Sequence, residues 1–152
     1  MAMKLFTEDV FLNVDVKSDS DVLSFMARHL FKEGKVKKGY EEHLLAREFD
    51  YPTGLYLGEI NVAIPHTDYQ YANTTQVAIA TLSNPVLWRS MEDPDETLSV
   101  SVVVLSIFDH SEHQLKVLQQ IMGVLQNQER VAEIMKATTP QQVISAFEKK
   151  ER

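Results

Sequence analysis

The amino-acid sequence predicts an α/β fold, in which a mixed, largely parallel β-sheet is covered by helices on both faces. Two observations carry this prediction. Strand-like segments are interspersed with amphipathic helix-like segments, and the last third of the chain is helical throughout. In addition, residues 102–105 (VVVL) form an uninterrupted apolar run, which is typical of a central strand buried on both faces.

Strands are predicted where apolar residues alternate or run together between turn residues. They cover residues 10–16, 62–64, 76–82 and 98–107, with a short additional strand at 85–88. The 62–64 strand is expected to end at Pro65, because proline has no amide hydrogen for the sheet ladder. The loop at 91–96 (MEDPDE) is acidic and contains a proline, so we interpret it as a solvated loop rather than a metal site.

Helices are predicted where an apolar stripe with helical spacing follows a capping residue or a turn. They cover residues 20–33, 38–49, 112–125, 128–137 and 140–147. Ser18 and the polar residues after it are expected to cap the first helix. The pairs Ser111–Gln114 and Thr139–Gln142 have the spacing of a capping box, so each is expected to open a helix.

The composition is that of a globular protein and excludes several kinds of site. The chain has 152 residues, 44% of them apolar and 24% charged, which suits one domain spanning residues 1–152. No apolar run approaches the ~20 residues of a membrane span, and the acidic N-terminal segment does not resemble a signal peptide. The absence of cysteine excludes disulfides, thiolate metal sites and cysteine nucleophiles within this chain. We therefore expect a cytoplasmic protein without direct membrane insertion.

The net charge of −7 bears on the kind of partner that the protein binds. Nucleic-acid binding needs a clustered basic face. The lysines at 32–38 flank a glycine and are interpreted as an interhelical turn, so no nucleic-acid partner is expected. An acidic surface instead favours a basic protein partner through electrostatic steering.

Histidines are the ionisable residues best placed for chemistry. The chain has no Gly-rich phosphate loop, dinucleotide-binding motif or serine-hydrolase elbow. His66 directly follows the 62–64 strand, and His113 lies in the first turn of the helix after the 98–107 strand. If those strands are neighbours, both imidazoles open onto one crevice at the carboxyl ends of the strands, where open α/β sheets bind their ligands.

Arg47 adds a cation to these two histidines. It ends the second predicted helix and precedes the turn into the His66 segment. Two histidines, one arginine and a helix N-terminus with free amides form a suitable cradle for a phosphoryl group. An ion pair between Arg47 and a neighbouring carboxylate is the alternative interpretation of this residue.

Two further interpretations concern His29 and the pair His110 and His113. His29 lies along the apolar stripe of the first predicted helix and is expected to be a boundary or core residue. His110 and His113, at i and i+3, have a spacing that can gather a zinc ion together with His66 and Asp68. This set is the basis of a zinc-dependent enzyme hypothesis, which is the remote alternative because the H-E-x-x-H pattern is absent.

Four segments, in this order and spacing, resemble the IIA domain of the bacterial sugar phosphotransferase system. They are Arg47-Glu48, residues 51–54 (YPTG), residues 63–67 (AIPHT) and His113-x-Leu115 with Leu118. The fructose–mannitol type is the branch, and the R-E…P-T-G…A-I-P-H wording is most similar to its galactitol-like members. The resemblance runs from about residue 4 to 148 and implies a mannitol-type IIA fold.

The resemblance implies the function of a phosphocarrier. In that family the histidine that matches His66 accepts a phosphoryl group from the phosphohistidine of the carrier protein HPr. It passes the group to a cysteine of the IIB component, which phosphorylates the sugar entering through the membrane component IIC. The histidine that matches His113 hydrogen-bonds the phosphoryl group, and the arginine that matches Arg47 stabilises it. No cofactor, metal or nucleotide is implied for this chain.

The chain also departs from the family pattern. Many members have glycine after the active histidine, where this chain has Thr67, and an acidic residue before that histidine recurs in some relatives, for which Glu59 is a candidate. The same fold occurs in nitrogen-type regulators, so a free-standing regulatory IIA protein that signals by its phosphorylation state is the alternative function. The galactitol-like wording favours transport, although the sugar itself is contacted by IIC.

Overall fold

The computed structural model describes residues 4–148 and contains one five-stranded β-sheet. The strands, numbered in chain order, are β1 Leu5–Val14, β2 Gly54–Leu55, β3 Asn61–Ala63, β4 Gln76–Arg89 and β5 Thr97–Ile107. The helices are α1 Asp19–Lys32, α2 Tyr40–Asp50, α3 Ser111–Leu125, α4 Gln128–Lys136 and α5 Pro140–Glu148. A 3₁₀ turn, Tyr69–Tyr71, lies between β3 and β4. Every predicted helix is present, and only the two-residue strand β2 was not indicated by the sequence.

The sheet is mixed, with the strand order β1-β4-β5-β3-β2. β1 pairs with β4 and β3 with β5 in parallel, whereas β4 with β5 and β2 with β3 are antiparallel. The prediction of a mixed sheet is confirmed, but the prediction that it is largely parallel is wrong. β4 and β5 are consecutive and joined by a short loop, so they pair antiparallel along their length. The predicted strand at 85–88 is the second half of β4, which pairs with β5 again after a register shift between Thr81 and Val86.

Helices cover both faces of the sheet, as predicted. Val103 and Leu105 of β5 belong to the core beneath α1 and α2, whereas Val102 and Val104 belong to the core beneath α3, α4 and α5. Successive side chains of a strand point to opposite faces, so a central strand needs apolar residues at every position. Burying each such side chain contributes roughly 1.5–3 kcal/mol. No helix within residues 4–148 has the length and apolar character needed to cross a membrane.

The helix ends test the predicted caps. The Ser18 hydroxyl accepts a hydrogen bond from the Asp21 amide at 3.1 Å and caps α1, as predicted. The capping box predicted at Ser111 is wrong, because α3 begins at Ser111 and His110 occupies the N-cap position. The His110 ring instead lies 3.1 Å from the Asp109 carboxylate, in a contact that the spacing pattern does not reveal.

Candidate active site

Three segments meet at one edge of the sheet. β3 and β5 are parallel neighbours, so their carboxyl ends lie side by side. β4 begins at this edge, because Gln76 pairs with Ile107 at the end of β5. The Pro65 carbonyl accepts a hydrogen bond from the Ser106 amide at 3.1 Å, which ties the segment after β3 to β5. The edge therefore brings together the residues that follow β3, precede β4 and follow β5.

His66 stands at the end of β3 with a defined orientation. Its Nδ1 lies 3.1 Å from the Ile64 carbonyl oxygen, and its ring is 6.1 Å from the ring of buried Phe108. A carbonyl oxygen only accepts hydrogen bonds, so Nδ1 carries the hydrogen and the lone pair of the neutral ring is on Nε2. The hydrogen bond thus leaves Nε2 as the ring nitrogen whose lone pair is available.

The surroundings of His66 favour its neutral form. Burial lowers the pKa of the imidazole below its usual value, and the positive charge of Arg47 acts in the same direction. The Ile64 carbonyl and the Asp68 carboxylate oppose these effects without reversing them. At neutral pH the ring is therefore mostly uncharged, which is the form that has a free lone pair on one nitrogen.

Arg47 lies near His66 on the last turn of α2. Its guanidinium stacks over the Tyr51 ring at 4.6 Å, a cation–π contact that restricts the side chain. Within residues 4–148 no carboxylate lies within 4.0 Å of this guanidinium, so the ion pair left open by the sequence is not formed. A positive charge without a carboxylate partner is available to an anion bound at the edge.

Glu48, next to Arg47, joins the end of α2 to Thr53 and to Trp88 of β4. It was not identified as a site residue from the sequence. It is only 5% exposed. One carboxylate oxygen accepts hydrogen bonds from the Thr53 amide (2.6 Å) and the Trp88 indole (2.9 Å), and the other accepts one from the Thr53 hydroxyl (2.7 Å). Burial raises the pKa of Glu48 to about 7, although these three donors favour its charged form.

Backbone hydrogen bonds connect the Thr53 segment, which Glu48 holds, to the strand that precedes His66. The Thr53 carbonyl accepts a hydrogen bond from the Ile64 amide at 3.2 Å, and Gly54 pairs with Ala63 across β2 and β3. A Cβ atom at position 54 would stand 2.6 Å from the Arg89 carbonyl oxygen, so only glycine fits without a shift. Fixing Thr53 therefore fixes the strand that presents His66 relative to the end of α2.

His113 is held at the same edge by a separate hydrogen-bond network. Its Nδ1 lies 3.1 Å from the Thr75 hydroxyl and 3.4 Å from the Asp109 carboxylate. The Thr75 hydroxyl donates to Asp109 at 2.6 Å, so it accepts from the His113 Nδ1–H. The hydrogen bond that Thr75 donates lowers the pKa of Asp109 and keeps a negative charge beside the His113 ring. Nε2 of His113 is left to interact with a bound group.

The residues of the predicted phosphoryl cradle lie near one another, whereas the four residues of the predicted zinc site do not come together. His66 and His113 lie at one edge, and the charge of Arg47 acts on His66. In the part of the chain that the structure describes, the potential metal ligands near His113 are Asp109 and His110, whose ligand atoms lie within 4.8 Å of one another and of His113. Neither His66 nor Asp68 joins that group, so the four-residue zinc set expected from the sequence is not formed.

Comparison with known proteins identifies the family. Residues 3–150 match the model of the phosphoenolpyruvate-dependent sugar phosphotransferase system EIIA 2 family. The galactitol-specific EIIA component of Escherichia coli K12 is 31% identical over 107 residues, which cover 70% of this chain and 71% of that protein.

Two solved structures share the fold. The first is the mannitol enzyme IIA of Escherichia coli in its complex with phosphorylated enzyme IIB, with a TM-score of 0.78, 22% identity and coverage of 96% and 98% of the two chains. The second is the nitrogen regulatory IIA protein of Neisseria meningitidis, with a TM-score of 0.70, 19% identity and coverage of 93% and 94%. The predicted mannitol-type IIA fold is thereby confirmed. The chain belongs to the EIIA 2 family of the phosphoenolpyruvate-dependent sugar phosphotransferase system, whose members are phosphocarriers.

Proposed function

We propose that this protein accepts a phosphoryl group from phosphorylated HPr on Nε2 of His66 and passes it to a cysteine of a IIB component. The observation that carries the proposal is the hydrogen bond from His66 Nδ1 to the Ile64 carbonyl, which leaves the Nε2 lone pair available. The galactitol-specific relative supports a role in the uptake of a galactitol-like sugar. The mannitol IIA that shares the fold was solved with phosphorylated IIB, which supports a IIB partner here.

The two transfers balance as displacements at phosphorus. In the first, the Nε2 lone pair of His66 forms an N–P bond while the N–P bond of the HPr phosphohistidine breaks, and the donor ring takes back the electron pair. In the second, a thiolate of IIB attacks the phosphorus and the His66 N–P bond breaks. The neutral imidazole is restored with its hydrogen on Nδ1, where the Ile64 carbonyl holds it.

Arg47 and His113 stabilise the phosphoryl group. A phosphoryl group brings about −1.5 to −2 charges. At ~4 Å and an effective dielectric constant of about 20, one guanidinium attracts a unit negative charge by roughly 4 kcal/mol before the cost of desolvation. In this proposal His113 hydrogen-bonds the phosphoryl group through Nε2, because its Nδ1 is already hydrogen-bonded to Thr75. These groups meet the need of phosphoryl transfer for positioning and charge stabilisation.

The whole chain acts, in this proposal, as a single IIA domain in the cytoplasm. It needs no cofactor of its own for the transfer, because the phosphate arrives already activated on nitrogen. Its contact with the membrane component IIC is indirect, through IIB. A negative surface suits basic docking faces on HPr and IIB, so both associations should weaken as salt rises.

Transfer to a thiol tests this function. Protein phosphorylated by isolated phospho-HPr is expected to lose its phosphate rapidly to the cognate IIB and only at the rate of hydrolysis to a IIB whose active cysteine is changed to serine. Gel separation of the labelled proteins follows both reactions. Equal loss to both would show that the thiol is not the acceptor. No loss to either would favour the regulatory alternative over transport.

A further inference from the structure

A second cluster of charged side chains joins β1 to the end of α1. We call it the β1–α1 cluster, and it consists of Glu8, Asp9, His29, Glu33 and Lys35. Asp9 is fully buried, and its Oδ2 atom contacts the Lys35 ammonium and accepts a hydrogen bond from the Gln76 side chain at 2.6 Å. Its Oδ1 atom lies on the other side of the carboxylate, facing His29.

Two buried polar atoms of this cluster lack a hydrogen-bond partner among residues 4–148. They are Asp9 Oδ1 and His29 Nε2, which lie 3.5 Å apart. His29 Nε2 is also 3.0 Å from Glu33 Oε1, yet this pair does not have hydrogen-bond geometry. A buried polar atom without a hydrogen-bond partner is costly, and a cation bound between Asp9 Oδ1 and His29 Nε2 would satisfy both atoms.

The three ligand atoms are spaced as metal ligands are. Asp9 Oδ1, His29 Nε2 and Glu33 Oε1 all lie within 4.8 Å of one another. Ligands about 2.0–2.2 Å from a tetrahedral zinc ion stand on the order of 3.3 Å apart. The distances from His29 Nε2 to Asp9 Oδ1 (3.5 Å) and to Glu33 Oε1 (3.0 Å) bracket that value. His29 and Glu33, at i and i+4, present their side chains on one face of the helix end.

The charge and packing of the β1–α1 cluster suit a divalent cation. The Lys35 ammonium contacts Asp9 and lies 3.1 Å from Glu8 and 3.6 Å from Glu33 Oε1, so three carboxylates share one lysine charge and outnumber it by two. Phe11 packs edge-on against the His29 ring at 4.8 Å and Phe6 lies under the Lys35 ammonium at 4.6 Å, so the site has an apolar wall.

We propose that the β1–α1 cluster binds one divalent transition-metal ion, of which Zn²⁺ is the representative, through Asp9 Oδ1, His29 Nε2 and Glu33 Oε1. A donor set of one imidazole and two carboxylates suits Zn²⁺ better than Mg²⁺, which prefers oxygen ligands alone. The His29 and Glu33 side chains are 34% and 22% exposed, so the cluster lies close to the surface although Asp9 Oδ1 and His29 Nε2 are themselves buried. The ion ties the end of α1 to β1 and takes no part in phosphoryl transfer.

Metal titration of chelator-treated protein tests this proposal. We expect one Zn²⁺ per chain by calorimetry, a rise in the unfolding temperature with Zn²⁺ but not Mg²⁺, and visible absorption bands when Co²⁺ replaces Zn²⁺. Glu33→Gln and His29→Ala should each weaken binding at least ~10-fold, because each removes one of three protein ligands. Both side chains are partly exposed, so these variants keep the buried Asp9 in place.

The matched control is His110→Ala, which removes a ligand from the Asp109–His110–His113 group and should leave the affinity unchanged. Loss of binding in His110→Ala with retention in His29→Ala would assign the ion to that other group and overturn the proposal. No measurable binding of Zn²⁺ or Co²⁺ would also overturn it, and a proton shared between Asp9 and Glu33 would then occupy the cluster. Neither result depends on phosphoryl transfer, so the proposed function is tested separately.

Discussion

Replacing Arg47 or His113 with alanine should slow phosphoryl transfer from phospho-HPr by about 10²–10³-fold each, because each removes a positioned group at the site where charge develops. The variants should still accept phosphate on His66, since Nε2 and its Nδ1 hydrogen bond to the Ile64 carbonyl are unchanged. Rapid-quench measurement of the single-turnover rate checks both expectations. Arg47→Lys is expected to fall between wild type and Arg47→Ala, because lysine keeps the charge without the planar fork.

His43→Ala is the control for these two variants. His43 is exposed on α2, four residues before Arg47, and its ring stacks on Tyr71 and contacts the Tyr71 hydroxyl. Its removal should leave the transfer rate within about twofold of wild type, because its hydrogen bonds are with Gly39 and Tyr71 and not with His66, Arg47 or His113. Wild-type rates in both Arg47→Ala and His113→Ala would mean that the phosphoryl group does not contact the edge where these residues lie.

Glu48 should control stability rather than the chemical step. Glu48→Ala leaves the Thr53 amide and the Trp88 indole as buried donors without an acceptor, and each such loss costs about 1–3 kcal/mol. We expect a decrease of about 2–5 kcal/mol in the free energy of unfolding, measured by urea denaturation. Glu48→Gln should lose much less, because its amide oxygen accepts both bonds and its NH₂ donates to the Thr53 hydroxyl.

The same residue should make stability depend on pH. The folded pKa of Glu48 is about 7, above its ordinary value of 4.5, so the folded state prefers the protonated form. The stabilisation from protonated Glu48 is therefore fully present below about pH 4.5 and is lost as the pH rises through 7. This loss lowers the free energy of unfolding by about 3 kcal/mol. Urea unfolding at pH 5 and pH 8 should show this decrease in wild type and not in Glu48→Gln. An equal pH dependence in the two proteins would contradict the assignment.

The elements and two of the candidate site residues were predictable because their signals are local. Pro65 ends β3 by its missing amide, which puts His66 at the carboxyl end of a strand, and the apolar run in β5 indicates burial on both faces. The parallel content of the sheet was not predictable in this way. It depends on β4 continuing past Pro85 to form a long antiparallel pair with β5, which is a tertiary contact.

The supporting network could not be predicted because its partners are far apart in the sequence. Trp88 reaches Glu48 across 40 positions, and Thr75 reaches His113 across 38. Glu48 follows the candidate residue Arg47, but its role depends on its hydrogen bonds to the Pro52-Thr53-Gly54 turn. The sequence alone does not show that this glutamate is buried against the turn. Asp9 and His29 likewise come together only when α1 packs back along β1, so the spacing of the histidines gave no indication of the β1–α1 cluster.

The position of the phosphoryl group tests the account most directly. The protein is mixed with isolated phospho-HPr, digested at alkaline pH, where phosphohistidine is preserved, and mapped by fragment mass spectrometry. We expect phosphate on His66 in wild type, and no phosphate in a His66→Ala variant whose circular dichroism spectrum matches wild type. Phosphate on His113, or full labelling of the His66→Ala variant, would contradict it.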